Sequence, residues 1–395
     1  MSMKKRKIAV LCFGGGDWWY HNRGHFDMQL MRRFAKKGTT LYVNSIVIQK
    51  PQLSQGKRFI HKFCRKARSI LTGLRKSDWG FWVYSPLSIP LHHIPWARNV
   101  NEKLIRLQVR WVMRRLGMYS PLVWVVCPGA CDVAIDITRS KLVWQRTDRW
   151  EEFPNVDFET VRTYDRKLKA NADLTVYVNR SLFDEEAGQC RRAIYLDHGV
   201  DLDLFASAEQ DPYRPTDIAH IEKPVVGYFG ALDDHKLDVR LIEAVTDSLP
   251  RLSFVFVGKA SQGYSDLAAK KNVYFLGQKP YEQIPHYGKC FDVAIIPWLK
   301  SRWTEAANPI KLKEYLALGK PLVVTPAFTE LRKYLDVVYV ANTPEEFVQC
   351  ILKALAENSP GRAATRRKKV EKASWDGKAH LVLGELFQEE QAARE

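Results

Sequence analysis

Apolar residues run along this chain in short blocks, and between the blocks they recur at helical spacing. Lys7–Phe13 reads as a buried strand and Gly14–Gly16 as a turn. Phe26, Leu30 and Phe34 then fall on one face of a helix over Phe26–Lys37, which Gly38 ends. Thr40–Ile46 is the next strand, and strand–helix–strand predicts a parallel sheet with right-handed crossovers. Pro121–Cys127, Lys141–Arg146, Leu174–Asn179 and Ala193–Leu196 predict further strands, and Phe153–Ala172 a helix with a polar face. Around Asp201–Pro224 the chain turns polar and proline-rich, which marks a linker. A second alternation follows, with strands in VVGYFGAL, LSFVFVG, NVYFLG, DVAIIPW and PLVVTP, a helix at Leu237–Leu249 and a closing helix at Gly377–Arg394. The pattern predicts an α/β protein of two doubly wound, Rossmann-like domains, 1–206 and 215–372, with a C-terminal helix or tail at 373–395. Ligands of such sheets bind at the carboxyl ends of the strands, so a cleft between the domains is expected to hold the site.

The segment Asn308–Thr325, NPIKLKEYLALGKPLVVT, carries the most chemistry. Asn308 reads as an N-cap with Pro309 at the first helical position, and Gly319 as a left-handed stop before a strand. Leu312, Tyr315 and Leu316 form the buried face. Lys311 and Glu314 lie three residues apart, so they point the same way near the positive end of the helix. Free N–H groups plus a lysine suit a diphosphate, and a carboxylate one turn on can accept from two ribose hydroxyls. The plain alternative is a surface ion pair stabilising the helix by a few tenths of a kcal/mol.

At 395 residues, 46% hydrophobic and 27% charged, the chain can fill two cores. Its seven cysteines are scattered without metal-ligand spacing, which predicts a reduced, cytoplasmic protein without structural zinc. The basic start MSMKKRK precedes an apolar run too short for a signal peptide, and no run is long enough to span a membrane. The net charge of +17 asks for an anionic partner. Fourteen basic residues against two acids fall between Pro51 and Ser120. Within that stretch Leu53–Lys76 interleaves cations with Phe59, Ile60, Phe63, Ile70, Leu71 and Leu74, and Trp79, Trp82 and Trp96 follow. A basic amphipathic stretch with flanking tryptophans predicts docking on an anionic membrane surface through Leu53–Trp96. The bland reading is a helix packed on its own sheet.

Gly14–Gly16 is not a dinucleotide fingerprint, because Asp17-Trp18-Trp19 follows in place of a helix start. Arg23 and His25 come after that turn at a strand's carboxyl end, where ligand groups are common, although either could instead be a solvated helix-start residue; Asp17 and His21 are weaker candidates. Lys236 and Asp238 read as solvated.

Several blocks together resemble GT-B glycosyltransferases of bacterial cell-surface polysaccharide synthesis, and the likeness covers most of the chain. VGYFGALDDHKLDVRLI resembles the family's first C-domain strand, loop and helix; NVYFLGQKPYEQIPHYGKCFDVAIIPW and NPIKLKEYLALGKPLVV resemble its donor-domain blocks. Arg146-Thr147-Asp148 resembles an active-site strand end, His198-Gly199-Val200-Asp201 the hinge, and FGGGDWWYHNRGHF the loop where acceptor and donor phosphates meet. Among members, the chain looks most like transferases of teichuronic acid assembly. The resemblance implies that Glu314 binds ribose, that Lys311 and the Asn308 helix start cradle the diphosphate, and that Gly230 lets backbone approach the donor. It implies Asp148 as the catalytic carboxylate, orienting the acceptor or stabilising oxocarbenium charge. Many retaining members carry two glutamates eight positions apart. Here the first position is Ala306; either Glu305 beside it substitutes, or the subgroup does not use that carboxylate.

The reading that follows is transfer of a sugar from a nucleotide donor, UDP in the first place, to a lipid-linked polysaccharide acceptor. The expected course is retaining, with no cofactor, no obligatory metal and no nucleic acid. Such an enzyme would sit peripherally on the cytoplasmic face of the plasma membrane, beside other polysaccharide-assembly enzymes. The rivals are a sugar-nucleotide epimerase of the same fold and a basic nucleic-acid-binding protein, although no nucleic-acid motif appears.

Overall fold

The computed structural model describes residues 8–392 except 22, 47–56, 90–93, 154 and 262; at 57–63 and 388–392 only the backbone is considered. The chain divides into two compact units, Met1–Asp197 with Lys378–Glu395, and His198–Gly377. Both are doubly wound.

The first unit contains β1 (Val10–Phe13), β2 (Thr40–Val43), β3 (Arg75–Lys76), β4 (Trp82–Tyr84), β5 (Leu122–Val125), β6 (Lys141–Arg146), β7 (Leu174–Tyr177) and β8 (Ala193–Tyr195). They form one sheet ordered β3-β4-β2-β1-β5-β6-β7-β8. All neighbours run parallel except β3 and β4, where an antiparallel edge pair closes the sheet. β1, β2 and β5 are buried at every position, which is why they read as continuous apolar runs. Helix α1 (Phe26–Ala35) buries Phe26, Leu30 and Phe34 as their spacing predicts.

The second unit contains β9 (Val225–Phe229), β10 (Ser253–Val257), β11 (Val273–Gly277), β12 (Val293–Ile296), β13 (Leu322–Val324) and β14 (Tyr339–Val340), ordered β11-β10-β9-β12-β13-β14 and parallel throughout. In each sheet the strand order reverses at the first strand. β1 lies between β2 and β5, and β9 lies between β10 and β12. A glycine turn follows each of these two strands, at the switch point where ligands of such sheets bind.

Three sequence expectations shift. The stretch read as a linker, Asp201–Pro224, holds helices at Leu202–Gln210 and Thr216–Ala219, and the chain parts earlier, at Asp197/His198. Val200 N–H donates to the Ala373 carbonyl and the Phe205 ring packs 6.4 Å from Tyr281, so this stretch is structured within the second unit. The basic stretch Leu53–Lys76 is not one helix. Helix α2 (Lys57–Leu71) ends where Gly73 turns left-handed, and Arg75–Lys76 is the edge strand β3; Leu53–Gly56 lie outside the described residues. The closing helix is observed as Trp375–Ala392, and Arg394 lies outside the described residues. It packs back on the first unit, where Arg192 reaches Glu385 at 2.5 Å.

Candidate functional site

The second unit brings Gly230, Lys311 and Glu314 together. Helix Ile310–Ala317 buries Leu312, Tyr315 and Leu316 against the sheet. The Tyr315 hydroxyl accepts from Phe229 N–H at 2.7 Å, and the two rings lie 4.2 Å apart. That bond fastens the helix to the last residue of β9, directly before Gly230. Gly230 has φ +134°, and a Cβ there would stand 2.7 Å from Lys311 Cε. The positive φ demands glycine, and a side chain there would displace the end of Lys311. One expectation is corrected: Asn308 is not the N-cap. Pro309 occupies the cap position in extended conformation (ψ 111°), and the start moves one residue on. The Gly319 stop is as expected, with φ +69° and its N–H on the Leu316 carbonyl.

Lys311 Nζ donates to the Tyr228 hydroxyl at 3.1 Å and lies 4.9 Å from the Tyr228 ring and 5.2 Å from the Trp298 ring. Glu314 is 5% exposed and accepts from the Tyr281 hydroxyl at 3.1 Å. Among the described residues neither charge has an ion pair, so the surface-pair reading fails. Burial raises the Glu314 carboxyl to about 7, helped by the Asp201 charge and opposed by Tyr281 and Lys311. Burial likewise lowers Lys311 to about 8. A half-buried cation and a buried carboxylate, each given one neutral hydroxyl, retain capacity for an anion and for hydroxyl donors.

Lys236 was read as solvated, yet its Nζ lies 4.7 Å over the Trp303 ring, which is 6.4 Å from Trp298, and pairs with Asp233 at 2.8 Å. Asp238 is structural: it caps Val239–Ser248 by accepting from Leu241 N–H. Glu305 ends the short helix Arg302–Glu305, is 45% exposed in its side chain, and faces Lys300 at 3.8 Å; Ala306 is buried. Sequence reasoning missed Tyr228, Tyr281, Trp298 and Trp303. Their signal was an excess of aromatics at strand ends and in the loops beyond them, visible in GYFG and IPW.

In the first unit the candidates are held by the protein itself. Arg23 donates to Asp78 at 2.5 Å and lies 4.4 Å over the Trp18 ring. His25 is exposed at the start of α1, its side chain caps nothing, and its ring is 6.3 Å from His21. Asp17 is buried and accepts from Ser69 Oγ at 2.7 Å. The glycine turn is filled, because a Cβ at Gly14 would fall inside the Tyr42 ring. Asp148 lies past the end of β6, two strands from the β1 end that carries Arg23 and His25. Its carbonyl accepts from Arg146 at 2.8 Å and from Trp150 N–H. Arg146 is 1% exposed and surrounded by Glu151 (2.8 Å), Glu186 (3.2 Å) and Asp165 (3.5 Å), with Lys169 bonded to the last two. This buried network shapes the turn bearing Asp148.

Of the basic stretch, Lys66 is turned inward to the Ser45 carbonyl at 3.1 Å and Arg65 lies 5.1 Å over Tyr20, while Arg68 and Leu71 are exposed. Among the described residues no three His, Cys, Asp or Glu side chains gather as a metal site, and no helix is long and apolar enough to cross a membrane.

With this geometry in place, the chain can be set beside known proteins. Residues 223–357 match the family described as Glycosyl transferases group 1. TuaH of Bacillus subtilis (strain 168), whose name assigns it to teichuronic acid biosynthesis as a glycosyltransferase, is 26% identical over 255 residues. The match spans 60% of this chain and 64% of TuaH, under two thirds of that relative's length. Sucrose-phosphate synthase from Thermosynechococcus elongatus superposes with a TM-score of 0.70 at 16% identity, covering 98% of this chain and all of that one. Anabaena HepE in complex with UDP-glucose gives 0.65 at 15%, covering 96% and 100%. At these identities the structures show the fold, and the fold is GT-B.

Proposed function

We propose that this protein is a glycosyltransferase that takes a sugar from a nucleotide donor, with UDP the favoured nucleotide, and adds it to a cell-envelope polysaccharide such as teichuronic acid. The observation that carries this reading is the Gly230–Lys311–Glu314 constellation at the switch point of the second sheet. The first-turn N–H groups of Ile310–Ala317 and the Lys311 ammonium would take the diphosphate, and Glu314 would accept from the ribose hydroxyls. Because Gly230 has no side chain, the diphosphate can approach Lys311 over the turn. The group 1 match covers this region, and HepE was solved with a UDP-sugar.

Charge building on the departing diphosphate would be met by Lys311 and the helix N-terminus, so no divalent metal is obligatory in this reading. If EDTA abolishes activity of the purified protein and only Mg²⁺ or Mn²⁺ restores it, that part fails. In a retaining, front-face course the donor phosphate helps deprotonate the acceptor hydroxyl. Asp148, with Arg23 and His25, would orient the acceptor from the first unit. NMR of the product anomer decides the course, and inversion rejects it. A polysaccharide acceptor on a polyprenyl diphosphate is anionic and membrane-bound, which suits a basic first unit docked peripherally on the cytoplasmic face of the membrane. The deciding experiment for the function is product formation from a panel of UDP-, GDP- and dTDP-sugars with a membrane-extracted acceptor. An epimer formed from the UDP-sugar alone, without transfer, favours the epimerase instead.

A further inference from the structure

Helix α3 (Pro95–Arg115) has a buried face of Ala97, Asn101, Ile105, Val109 and Val112. Its opposite face mixes exposed apolar residues with cations. Trp96, Val100, Leu107 and Trp111 are 58%, 44%, 66% and 56% exposed. At 100° per residue these four fall within about a sixth of the helix circumference. Lys103, Arg110 and Arg114 share or border that arc and are exposed, and Arg115 lies 5.6 Å over the Trp111 ring. Lys103 and Arg114 have no acidic partner among the described residues. Leu87, 54% exposed, runs alongside, its N–H and carbonyl both bonded to Gln108. The two tryptophans stand about 22 Å apart along the axis. Neither core packing nor solvation explains this face, because the first would bury the tryptophans and the second would not select them.

We infer that the outer face of α3 is the surface that docks on an anionic bilayer, the apolar stripe entering the interface and the flanking cations meeting lipid phosphates. The inference deepens the proposed membrane reading and moves its contact from α2, where Lys66 and Arg65 are engaged within the protein, to α3. An anionic bilayer is favoured over a polyanion in solution because the cations flank a continuous apolar stripe, which nucleic acid would leave exposed to water.

The test is co-sedimentation with vesicles of phosphatidylglycerol and phosphatidylcholine against pure phosphatidylcholine. Wild type is expected on the anionic vesicles only. Lys103→Glu/Arg110→Glu/Arg114→Glu should weaken binding at least about a hundredfold, from about fivefold per cation near an anionic leaflet. Trp96→Ser/Trp111→Ser should weaken it about tenfold with the charge unchanged. Arg68→Glu/Leu71→Ser on α2 should bind as wild type. Circular dichroism verifies that each variant is folded, since every substituted side chain is exposed. Glu314→Gln should sediment normally, so a failed transfer reaction leaves this test standing. Equal binding to neutral vesicles, or loss with the α2 variant while both α3 variants bind, overturns the inference.

Discussion

The two sheets place a glycine turn at the same topological point and furnish it in opposite ways. After β1, the charged groups Arg23, Asp17 and Asp27 near the turn are each answered by the protein. Arg23 has Asp78 and Trp18, Asp17 has Ser69, Asp27 accepts from Tyr42 and from Gly15 N–H, and Arg146 deeper in the unit has three carboxylates. After β9, the half-buried Lys311 and the buried Glu314 have one neutral hydroxyl each, and both are displaced toward their uncharged forms. Matched buried charges hold a structure in place. Under-matched ones cost stability and keep interaction capacity for a ligand. The comparison supports the proposed placement of the donor in the second unit and gives a scaffold role to most buried charge in the first.

The largest effect should come from breaking the matched network. Arg146→Ala leaves Glu151 without its cation and Glu186 and Asp165 with Lys169 alone, and should destabilise the first unit by about 3–5 kcal/mol, read by urea denaturation. If it costs no more than a surface substitution, the scaffold role is wrong. Next, Gly230→Ala combines a strained φ with a Cβ against Lys311. It should abolish measurable UDP binding by calorimetry, while the melting temperature falls by only a few degrees. Smaller still, Glu314→Gln should weaken UDP by roughly 1.5–3 kcal/mol, the range for hydrogen bonds to a charged group. The same change should leave the unliganded protein as stable as wild type or more so, because it removes a buried charge.

A pH experiment sharpens the contrast further. Glu314 has a raised pKa in the folded state, so the folded chain holds this proton where the unfolded chain has lost it. Its contribution to stability is present below about 4.5 and lost as pH rises to about 7. Lys311 is lowered, so stability returns as pH rises from about 8 toward 10.5. Without ligand the two groups carve a minimum between about 7 and 8, and Glu314→Gln should erase its acid side.

Much of this was legible in residue order. The strands of both sheets follow from unbroken apolar runs, and Lys311 and Glu314 from their spacing on a stopped helix. The missed features depend on contacts between distant segments. The pairing of Arg23 with Asp78 joins residues 55 apart, and Tyr281 meets Glu314 from 33 residues away. Asn308 misled because Asn-Pro usually opens a helix at the proline, whereas here Pro309 is still extended. The linker misled because proline and aspartate marked turns correctly but hid the short helix between them, which Phe205 fastens to Tyr281. The exposed face of α3 escaped notice because its charges were counted with those of α2 and its tryptophans were not set on a helix.

The most direct test of the account is UDP affinity measured calorimetrically from pH 6 to 9 in wild type and Glu314→Gln. A carboxylate and an ammonium must both be charged to bind, so affinity should peak between about 7 and 8 and fall on either side, the mirror of the stability minimum. In Glu314→Gln the acid limb should vanish and the peak affinity drop at least tenfold. Wild-type affinity in the variant, or the same acid limb in both proteins, would contradict the assignment of Glu314 and Lys311 as the donor site.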